Sequence, residues 1–474
     1  MTPDWEMVVG LEVHCELRTE TKLFCGCRNA FGDEPNTNVC PVCLGLPGSL
    51  PVLNERAVEY AMRIGQALQC DVRHSIFHRK NYFYPDMPKD YQVTQYDEPL
   101  NVDGWLELPD GTRVGIERAH MEEDTGKSTH VGTSGRIHGA DHSLVDYNRA
   151  GVPLVEIVSR PDIRSSAQAR SYAAELRAIL VATGASDGKM EEGSMRVDAN
   201  VSVRRGPDAP LGTRCEIKNL NSLRSLGRAI EHEAARQIAL LEGGETIVQE
   251  TRHWNEDTGV TSPMRSKEEA NDYRYFPEPD LVPLAPSEEW QEAVRSSLPV
   301  LPAARRHALA TLGNVTPADV ALIVELDLDS LVTTAISAGA PARIAINRAA
   351  NEVAASLSSA ATLDPSAFAT VCTMEDSGRL TATQAKQVLA ELLSAGGDPE
   401  AIADAHGFAP VDVGVVEAAV DEAIAADPGA WGRYVGGEDK IAGMFVGKVM
   451  KLTRGQADGA AVMEVLQARR TASS

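Results

Sequence analysis

The stretch Met195–Arg204 reads MRVDANVSVR and alternates apolar with polar side chains along its whole length. A period of two predicts a β-strand with one face turned toward a core. The buried face would carry Val197, Ala199, Val201 and Val203. The other face would carry Arg196, Asp198, Asn200, Ser202 and Arg204. Such a face is typical either of a solvated sheet surface or of a surface that holds a charged ligand.

Two further segments share this pattern. Gly10–Glu16 reads GLEVHCE, which places Glu12, His14 and Glu16 on one face of a strand. Residues two apart on a strand lie about 6.6 Å from each other, so Glu12 and His14 could reach one cation. The third predicted strand, Thr213–Lys218, carries three charged residues on one face, namely Arg214, Glu216 and Lys218.

Helical spacing and prolines divide the chain. Glu55–Leu68 and Leu223–Leu241 have apolar residues at helical intervals, and Gly243 would end the second helix. Six prolines between 277 and 302 predict a linker, and the alanine-rich remainder predicts helix after helix. We therefore expect a mixed domain over residues 1–290, a helical domain over 291–395 and a small helical tail domain over 396–474.

Composition excludes several classes of protein. Among 474 residues, 68 Asp and Glu outnumber 45 Lys and Arg, and the formal net charge is −23. That balance argues against a general nucleic-acid coat protein and against binding to anionic membranes. No apolar run reaches the roughly 18 residues that a membrane span needs, and the first residues do not resemble a signal peptide. We expect a cytoplasmic protein with no membrane partner.

The cysteine spacing predicts a metal site. Cys25-x-Cys27 is followed, after twelve residues, by Cys40-x-x-Cys43. Two close thiol pairs are typical of a closed, tetrahedral, structural zinc (Zn²⁺) site, and four unrelated buried thiols are the alternative. The remaining thiols are interpreted as core residues: Cys15, Cys70, Cys215 and Cys372.

Three adjacent carboxylates, Glu122-Glu123-Asp124, form a second candidate site. Neighbouring carboxylates repel one another unless a cation or water screens them, and oxygen ligands of this kind suit Mg²⁺. A solvated turn is the alternative. The sequence has no phosphate-binding loop and no dinucleotide fingerprint, so side chains and metal would have to hold any nucleotide.

Taken in order, seven motifs resemble the B subunits of aspartyl/glutamyl-tRNA(Asn/Gln) amidotransferases. The resemblance runs from Val9 to about Leu281 and resumes over Gly443–Ala457. The motifs are Gly10–His14, Val39–Gly48, Arg79–Asp86, His120–Asp124, Asp146–Pro153, Glu216–Ser222 and Asp272–Pro277.

The resemblance implies a fold, a reaction and partners. The fold would be α+β, an antiparallel-sheet cradle related to glutamine synthetase, followed by a helical domain and a helical tail. The reaction would use ATP to phosphorylate the side-chain carboxylate of Glu-tRNA(Gln) or Asp-tRNA(Asn), and ammonia would then displace phosphate. Ammonia would come through a channel from an amidase, the glutamine-hydrolysing A subunit of the family, and a C subunit would complete a heterotrimer.

The resemblance also implies functional residues. One Mg²⁺ would be bound by Glu12, His14 and Glu123, and a second by Glu122 and Glu216, with Glu122, Glu123 and Glu216 expected to be catalytic. The other expected sets are Arg196, Asp198, Asn200 and Lys218 for ATP, Lys80, Tyr82 and Lys89 for the channel mouth, and Lys448, Lys451 and Arg454 for tRNA. Glu16 stands where the family usually has glutamine, so it is not assigned as a ligand.

Two other functions stay open at this point. A zinc-stabilised tRNA-binding subunit without catalysis would bind tRNA without Mg²⁺, although clustered acids beside a phosphate backbone speak against it. A free-standing ligase would act on a small carboxylate without tRNA.

Overall fold

A sheet of twelve strands organises the first part of the chain in the computed structural model, which describes residues 4–132, 140–264, 273–360, 362–408, 413–453, 457 and 459–473. A separate hairpin supplies two more strands. The strands are β1 (Glu6–Glu16), β2 (Asp71–Val72), β3 (Phe77–Asn81), β4 (Tyr91–Gln95), β5 (Asn101–Glu107), β6 (Arg113–Glu123), β7 (Lys127–Gly132), β8 (Ala140–Asp146), β9 (Pro153–Ser159), β10 (Met195–Arg204), β11 (Cys215–Leu220), β12 (Thr251–Asn255), β13 (Val260–Pro263) and β14 (Phe276–Pro277).

The strand order places β1 at the centre of the sheet. The main path runs β13-β12-β11-β10-β1-β9-β6-β4-β3-β14, with β5 pairing β6 and β2, while β7 pairs β8. Within the described residues, only β11 and β12 pair in parallel. The predicted α+β class with an antiparallel sheet is confirmed.

The alternating pattern of β10 is confirmed by burial. Its apolar side chains Val197, Ala199 and Val201 are fully buried against the helices. The polar face is less open to solvent than a solvated surface would be, because Asp198 is only 4% exposed. The third predicted strand is also present, but it begins at Cys215, two residues later than predicted.

Four helices accompany the sheet: α1 (Glu55–Ala67), α2 (Ser166–Ala182), α3 (Leu223–Glu242) and α4 (Glu288–Ser296). The Asn54 side chain caps α1 by accepting hydrogen bonds from the N–H groups of Arg56 and Ala57. The N–H of Gly243 closes the end of α3, as the sequence predicted. Residues from α1, α2 and α3 bury the apolar face of the sheet in one core.

Helix α1 approaches the sheet closely at Gly65. The buried Asn101 side chain donates hydrogen bonds to the carbonyls of Ala61 in α1 and Ala119 in β6, at 3.1 and 2.9 Å. A Cβ on Gly65 would lie 1.9 Å from Asn101 Oδ1. The Asn101 side chain, which joins helix to sheet, therefore occupies the space that the methyl group of an alanine at position 65 would need.

Replacing Gly65 with Ala is expected to lower the free energy of unfolding by about 3 kcal/mol, because Asn101 must leave its buried partners. The matched change is Gly227→Ala in α3, where a Cβ would meet only the flexible Arg170 side chain, 3.0 Å away. Denaturant unfolding followed by tryptophan fluorescence compares the two. Equal midpoints for the two variants would contradict the packing argument.

The part of the chain from Arg305 onward forms a separate unit of helices, whose first helix begins slightly earlier, at Pro302. The helices are α5 (Pro302–Gly313), α6 (Ala321–Glu325), α7 (Asp329–Ser337), α8 (Ala342–Arg348), α9 (Leu357–Ala360), α10 (Pro365–Asp376), α11 (Ala382–Ala395), α12 (Pro399–Ala405), α13 (Val413–Ala425), α14 (Pro428–Val435), α15 (Ala442–Leu452) and α16 (Gly459–Ser473). Short 3₁₀ segments lie at Pro317–Val320, Ala354–Ser356 and Asp439–Ile441, and a π-helical segment lies at Ala349–Val353.

This helical unit contains two hydrophobic cores. One is built from buried residues between Leu309 and Ala403, and the other from residues between Val416 and Leu466. The predicted domain boundaries at 290 and 396 stay predictions, although the separate cores are compatible with a distinct tail. No single helix among the described residues meets the length and hydropathy of a membrane span, and one bent pair, Pro302–Gly313 with Pro317–Glu325, meets them only jointly.

Candidate functional site: two carboxylate clusters and a four-cysteine loop

Cross-strand register assembles the polar face of the sheet. Glu12 in β1 lies opposite Asp198 in β10, and His14 lies opposite Glu156 in β9. Directly opposed residues of neighbouring strands point to the same face. The polar halves of several alternating strands therefore meet on one surface, on the side opposite the helices.

The first cluster on this surface consists of His14, Glu122 and Glu156, each of which offers an atom within 4.8 Å of the others. His14 Nδ1 lies 3.3 Å from Glu122 Oε1. Burial would lower the pKa of His14, but Glu122, Glu156 and Asp198 outweigh it and raise that pKa to about 9. For Glu122, burial is likewise outweighed by His14, which lowers the carboxyl pKa to about 2.

The second cluster consists of Glu12, Asp198 and Glu216, again with one atom each within 4.8 Å. Burial, then the charges of Glu156 and Glu216, raise the pKa of Glu12. Lys218 donates to Asp198 at 2.9 Å and also pairs with Glu216. Although burial would lower the Lys218 pKa, these two acids raise it, so this lysine stays charged beside the cluster.

Asp198 connects the two clusters. Its Oδ2 lies 3.9 Å from His14 Nε2, while it also belongs to the cluster with Glu12 and Glu216. Oxygen-rich groups of three ligands fit a divalent cation such as Mg²⁺, and mutual repulsion among these acids would be relieved by one. The donor sets are therefore suited to the cations that the sequence predicts.

The structure groups the predicted metal ligands differently from the expectation. Glu123 does not lie with Glu12 and His14, because it follows Glu122 in β6 and consecutive strand residues point to opposite faces. It pairs instead with Lys89 and accepts a hydrogen bond from the N–H of Val93 at 2.9 Å. Likewise, Glu122 lies with His14 rather than with Glu216.

Sequence reasoning missed Glu156. It is the one charged residue in the otherwise apolar and hydroxyl-bearing strand PLVEIVS, which forms β9. A lone acid in a buried strand was the available signal, since such groups are rarely buried without a partner.

The residues predicted to contact ATP lie along the same surface. Asn200 donates to Glu12 at 2.9 Å, and Arg196 donates to Asp124 at 2.8 Å. Asp198 and Lys218 belong to, or contact, the second cluster. The polar strand face is thus occupied by mutual ion pairs and hydrogen bonds rather than left to solvent.

The three predicted channel residues lie on or beside β3 and β4. Lys80 lies 4.9 Å from the centre of the Tyr273 ring, and Tyr82 stacks on Tyr84 with ring centres 5.8 Å apart. Lys89 forms its ion pair with Glu123, with the Lys89 side chain 9% exposed. These three residues are adjacent in the fold but make separate contacts.

The four predicted zinc ligands come together. The thiols of Cys25, Cys27, Cys40 and Cys43 all lie within 4.8 Å of one another. The Cys40 N–H donates to Cys43 Sγ at 3.1 Å, and the Sγ atoms of Cys40 and Cys43 are 3.9 Å apart. Tetrahedral zinc at about 2.3 Å from each sulfur requires a sulfur spacing of about 3.8 Å. The donor set therefore fits zinc.

In the tail, two of the three predicted tRNA-binding residues, Lys448 and Lys451, lie on α15. Lys448 donates to Asp427 at 2.9 Å, whereas Lys451 is exposed. Arg454 lies outside the described residues.

Comparison with known proteins identifies the family. Residues 7–292 match the family model described as the GatB/GatE catalytic domain, and residues 330–469 match the one described as the GatB domain. Curated relatives named as the B subunit of aspartyl/glutamyl-tRNA(Asn/Gln) amidotransferase are 52% identical in Frankia casuarinae, 51% in Mycobacterium avium and 50% in Streptomyces coelicolor. Each alignment covers 98% of this chain and 95% of the relative. The chain therefore belongs to the family of B subunits of the tRNA-dependent aspartyl/glutamyl amidotransferases.

Proposed function

We propose that the chain phosphorylates the side-chain carboxylate of Glu-tRNA(Gln), Asp-tRNA(Asn) or both with ATP, and that it then amidates the acyl phosphate with ammonia. The observation that carries the proposal is the pair of linked carboxylate clusters on one sheet face, with Lys218 beside them. Such a face suits phosphoryl transfer, which depends mainly on positioning and on charge neutralisation.

The chemistry requires activation because a carboxylate is a poor electrophile. Transfer of the γ-phosphoryl group makes a mixed anhydride and ADP. Attack by ammonia then forms the amide bond and breaks the bond to phosphate, and the proton that the nitrogen loses is taken up by the departing phosphate. Mg²⁺ held by His14, Glu122 and Glu156 and by Glu12, Asp198 and Glu216 would neutralise phosphate charge. We propose that Lys218, which donates to Asp198 at 2.9 Å, would contact a phosphate oxygen, and that Asn200, which donates to Glu12, would orient that carboxylate.

The proposed partners follow from the identity of the curated relatives, which are named as B subunits. A B subunit implies a complex, and we propose an amidase subunit that supplies ammonia from glutamine and a third subunit that joins the two. Lys80, Tyr82 and Lys89 are proposed at the mouth of the ammonia channel, and the four-cysteine loop is proposed to hold structural zinc. Together with misacylated tRNA, these partners place the proposed activity in protein biosynthesis.

The test is a reconstituted assay with the purified chain, the amidase subunit and the third subunit. With ATP, Mg²⁺ and glutamine, misacylated Glu-tRNA(Gln) should become Gln-tRNA(Gln), and ADP formation should depend on the misacylated tRNA. Binding of tRNA that survives removal of Mg²⁺, with no ADP formed, would favour the non-catalytic binding function. ADP formation from free glutamate and ammonium chloride without tRNA would favour the small-molecule ligase.

Contact between α15 and tRNA can be tested separately. Replacing Lys451 with Glu is expected to weaken tRNA binding and to reduce the slope of log affinity against log salt by about 0.9 for one lost phosphate contact. The comparison change is Lys386→Glu elsewhere in the helical unit, at a lysine whose side chain is 60% exposed and pairs with Glu352 at 3.0 Å. An unchanged slope in Lys451→Glu would remove this residue from the proposed interface. Lys448→Glu should have a smaller effect, because Asp427 already pairs with Lys448.

A further inference from the structure

The four-cysteine loop packs directly against the Lys89–Glu123 ion pair. A cavity of about 60 Å³ is shared by the two, and its walls include Cys25, Cys43, Lys89 and Glu123. Two glycines connect the cysteine ligands to this pair, and one buried lysine joins the segments that carry the cysteines. The connections lie on the opposite side of β6 from the carboxylate clusters, because Glu123 and Glu122 point to opposite faces.

The first connection runs through Gly45, two residues after Cys43. The loop turns here through hydrogen bonds from Leu44 N–H to Cys40 O and from Gly45 N–H to Val42 O, at 3.1 and 3.0 Å. Gly45 has a φ of +66°, and a Cβ on it would lie 2.5 Å from Lys89 Cγ. The backbone of Gly45 therefore packs directly against the aliphatic part of the Lys89 side chain.

The second connection runs through Gly151. A Cβ on this residue would lie 3.6 Å from Cys43 Cβ and 3.8 Å from Glu123 Oε2. The Gly151 N–H donates to Asp124 O at 3.0 Å, and its carbonyl accepts from Leu23 N–H at 2.9 Å. One glycine thus separates a cysteine ligand from the carboxylate that holds Lys89.

The third connection is Lys22, whose side chain is fully buried. Its backbone N–H donates to Cys27 O at 3.0 Å, and its Nζ donates to Asn38 O at 2.8 Å and to Tyr147 O at 3.1 Å. Lys22 therefore joins the segments that carry the two cysteine pairs and links them to Tyr147, between β8 and β9. Its positive charge also faces the thiols that would carry negative charge around a metal.

Aromatic rings complete the surroundings of Lys89. Its Nζ lies 5.1 Å from the centre of the Tyr91 ring and 5.9 Å from that of Phe24, the residue before Cys25. The lysine is thus enclosed by the loop on one side and by Glu123 and Tyr91 on the other. Without an ordered loop, one wall of this enclosure is lost.

We infer that the four-cysteine loop is a positioning element for the Lys89–Glu123 pair, so that metal in the cysteine site fixes Lys89 and loss of that metal releases it. A closed four-thiolate site orders the loop around it, since its binding energy contributes directly to folding. The order reaches Lys89 through the Gly45 turn and Glu123 through Gly151. The coupling itself does not depend on the proposed ammonia channel; only the further step, that release of Lys89 would disturb the channel mouth, rests on the proposed function.

The experiment measures the accessibility of Lys89 rather than activity. The full chain, loaded with zinc, stripped by a chelator, or stripped and reloaded, is acetylated at trace level with isotope-labelled acetic anhydride, and each lysine is quantified by mass spectrometry. Labelling of Lys89 should rise about threefold or more on stripping and return on reloading. Lys80 on the neighbouring strand and the exposed Lys189 serve as internal references.

Two results would overturn the inference. Equal labelling of Lys89 in loaded and stripped protein would show that the loop does not hold it. A parallel rise at Lys80 would show general loosening of the unit instead of a local connection. Either result leaves the assay of tRNA-dependent amidation unaffected, so the proposed function fails or survives independently.

A pair of glycine variants tests the contact with zinc still bound. Gly45 and Gly48 both have positive φ, +66° and +85°, so alanine strains the backbone at either position. Only the Cβ at Gly45 would meet Lys89; the Cβ at Gly48 has nothing within 4 Å. Gly45→Ala should raise Lys89 labelling with the zinc content retained, and Gly48→Ala should not. The same labelling in both variants would overturn the proposed contact, and if Gly45→Ala does not fold, the stripped and reloaded samples decide.

Discussion

Replacing Glu12 with Gln is expected to slow tRNA-dependent ADP formation about 10³-fold, which corresponds to a loss of about 4 kcal/mol of charge stabilisation in the transition state. Glutamine keeps the volume of Glu12 and can still accept the hydrogen bond from Asn200. It removes one of the three carboxylates of the cluster that consists of Glu12, Asp198 and Glu216. The concentration of Mg²⁺ that gives half-maximal rate should rise at the same time.

The control lies on the same strand. Glu6 also belongs to β1 and points to the same face as Glu12, six residues or about 20 Å away along the strand. It pairs with Arg204 at 2.6 Å instead of joining the cluster. Glu6→Gln should retain nearly normal turnover and Mg²⁺ dependence. If Glu12→Gln behaved like Glu6→Gln, the cluster could not be the proposed cation site.

Replacing Cys43 with Ser is expected to remove the metal from the four-cysteine loop. Zinc content should fall from about one per chain to near zero, and residues 20–54 should lose protection in hydrogen exchange while β10 keeps it. Structural zinc sites contribute on the order of 10 kcal/mol to small domains, so losing one thiolate of four should destabilise this loop by several kcal/mol. Metal analysis and hydrogen exchange followed by mass spectrometry measure both effects.

Cys70→Ser is the matched change for this prediction. Cys70 is a partly buried thiol in the same unit, outside the cluster, and its Sγ donates to the carbonyl of Leu68 at 3.9 Å. That variant should keep its zinc and its protection pattern. Full zinc occupancy in Cys43→Ser would mean that the four thiols are not the ligands.

Local patterns in the sequence predicted the elements of the first unit well. The alternation of Met195–Arg204 and of Gly10–Glu16 corresponds to β10 and β1, and the apolar spacing after Asn54 corresponds to α1. These predictions succeeded because alternation and helical spacing depend only on neighbours along the chain. The start of β11 was misplaced by two residues, since strand ends depend on the partner strand.

The grouping of ligands could not be derived from local patterns. Which acids meet depends on the register between strands distant in sequence, such as His14 with Glu156. The run Glu122-Glu123-Asp124 suggested one shared site, whereas strand geometry divides its first two members between opposite faces. The four cysteines were easier to predict, because they lie within one loop and their spacing alone brings the pairs together.

Because Glu122 and Glu123 point to opposite faces, the number of residues in β6 matters as much as which residues they are. Deleting or inserting one residue just before this pair would exchange the two carboxylates between the faces. The acid beside His14 would then face Lys89, and the partner of Lys89 would enter the cation cluster. We therefore expect β6 to accept substitutions in its outer half near Arg113 far more readily than any change of length between Ala119 and Glu123.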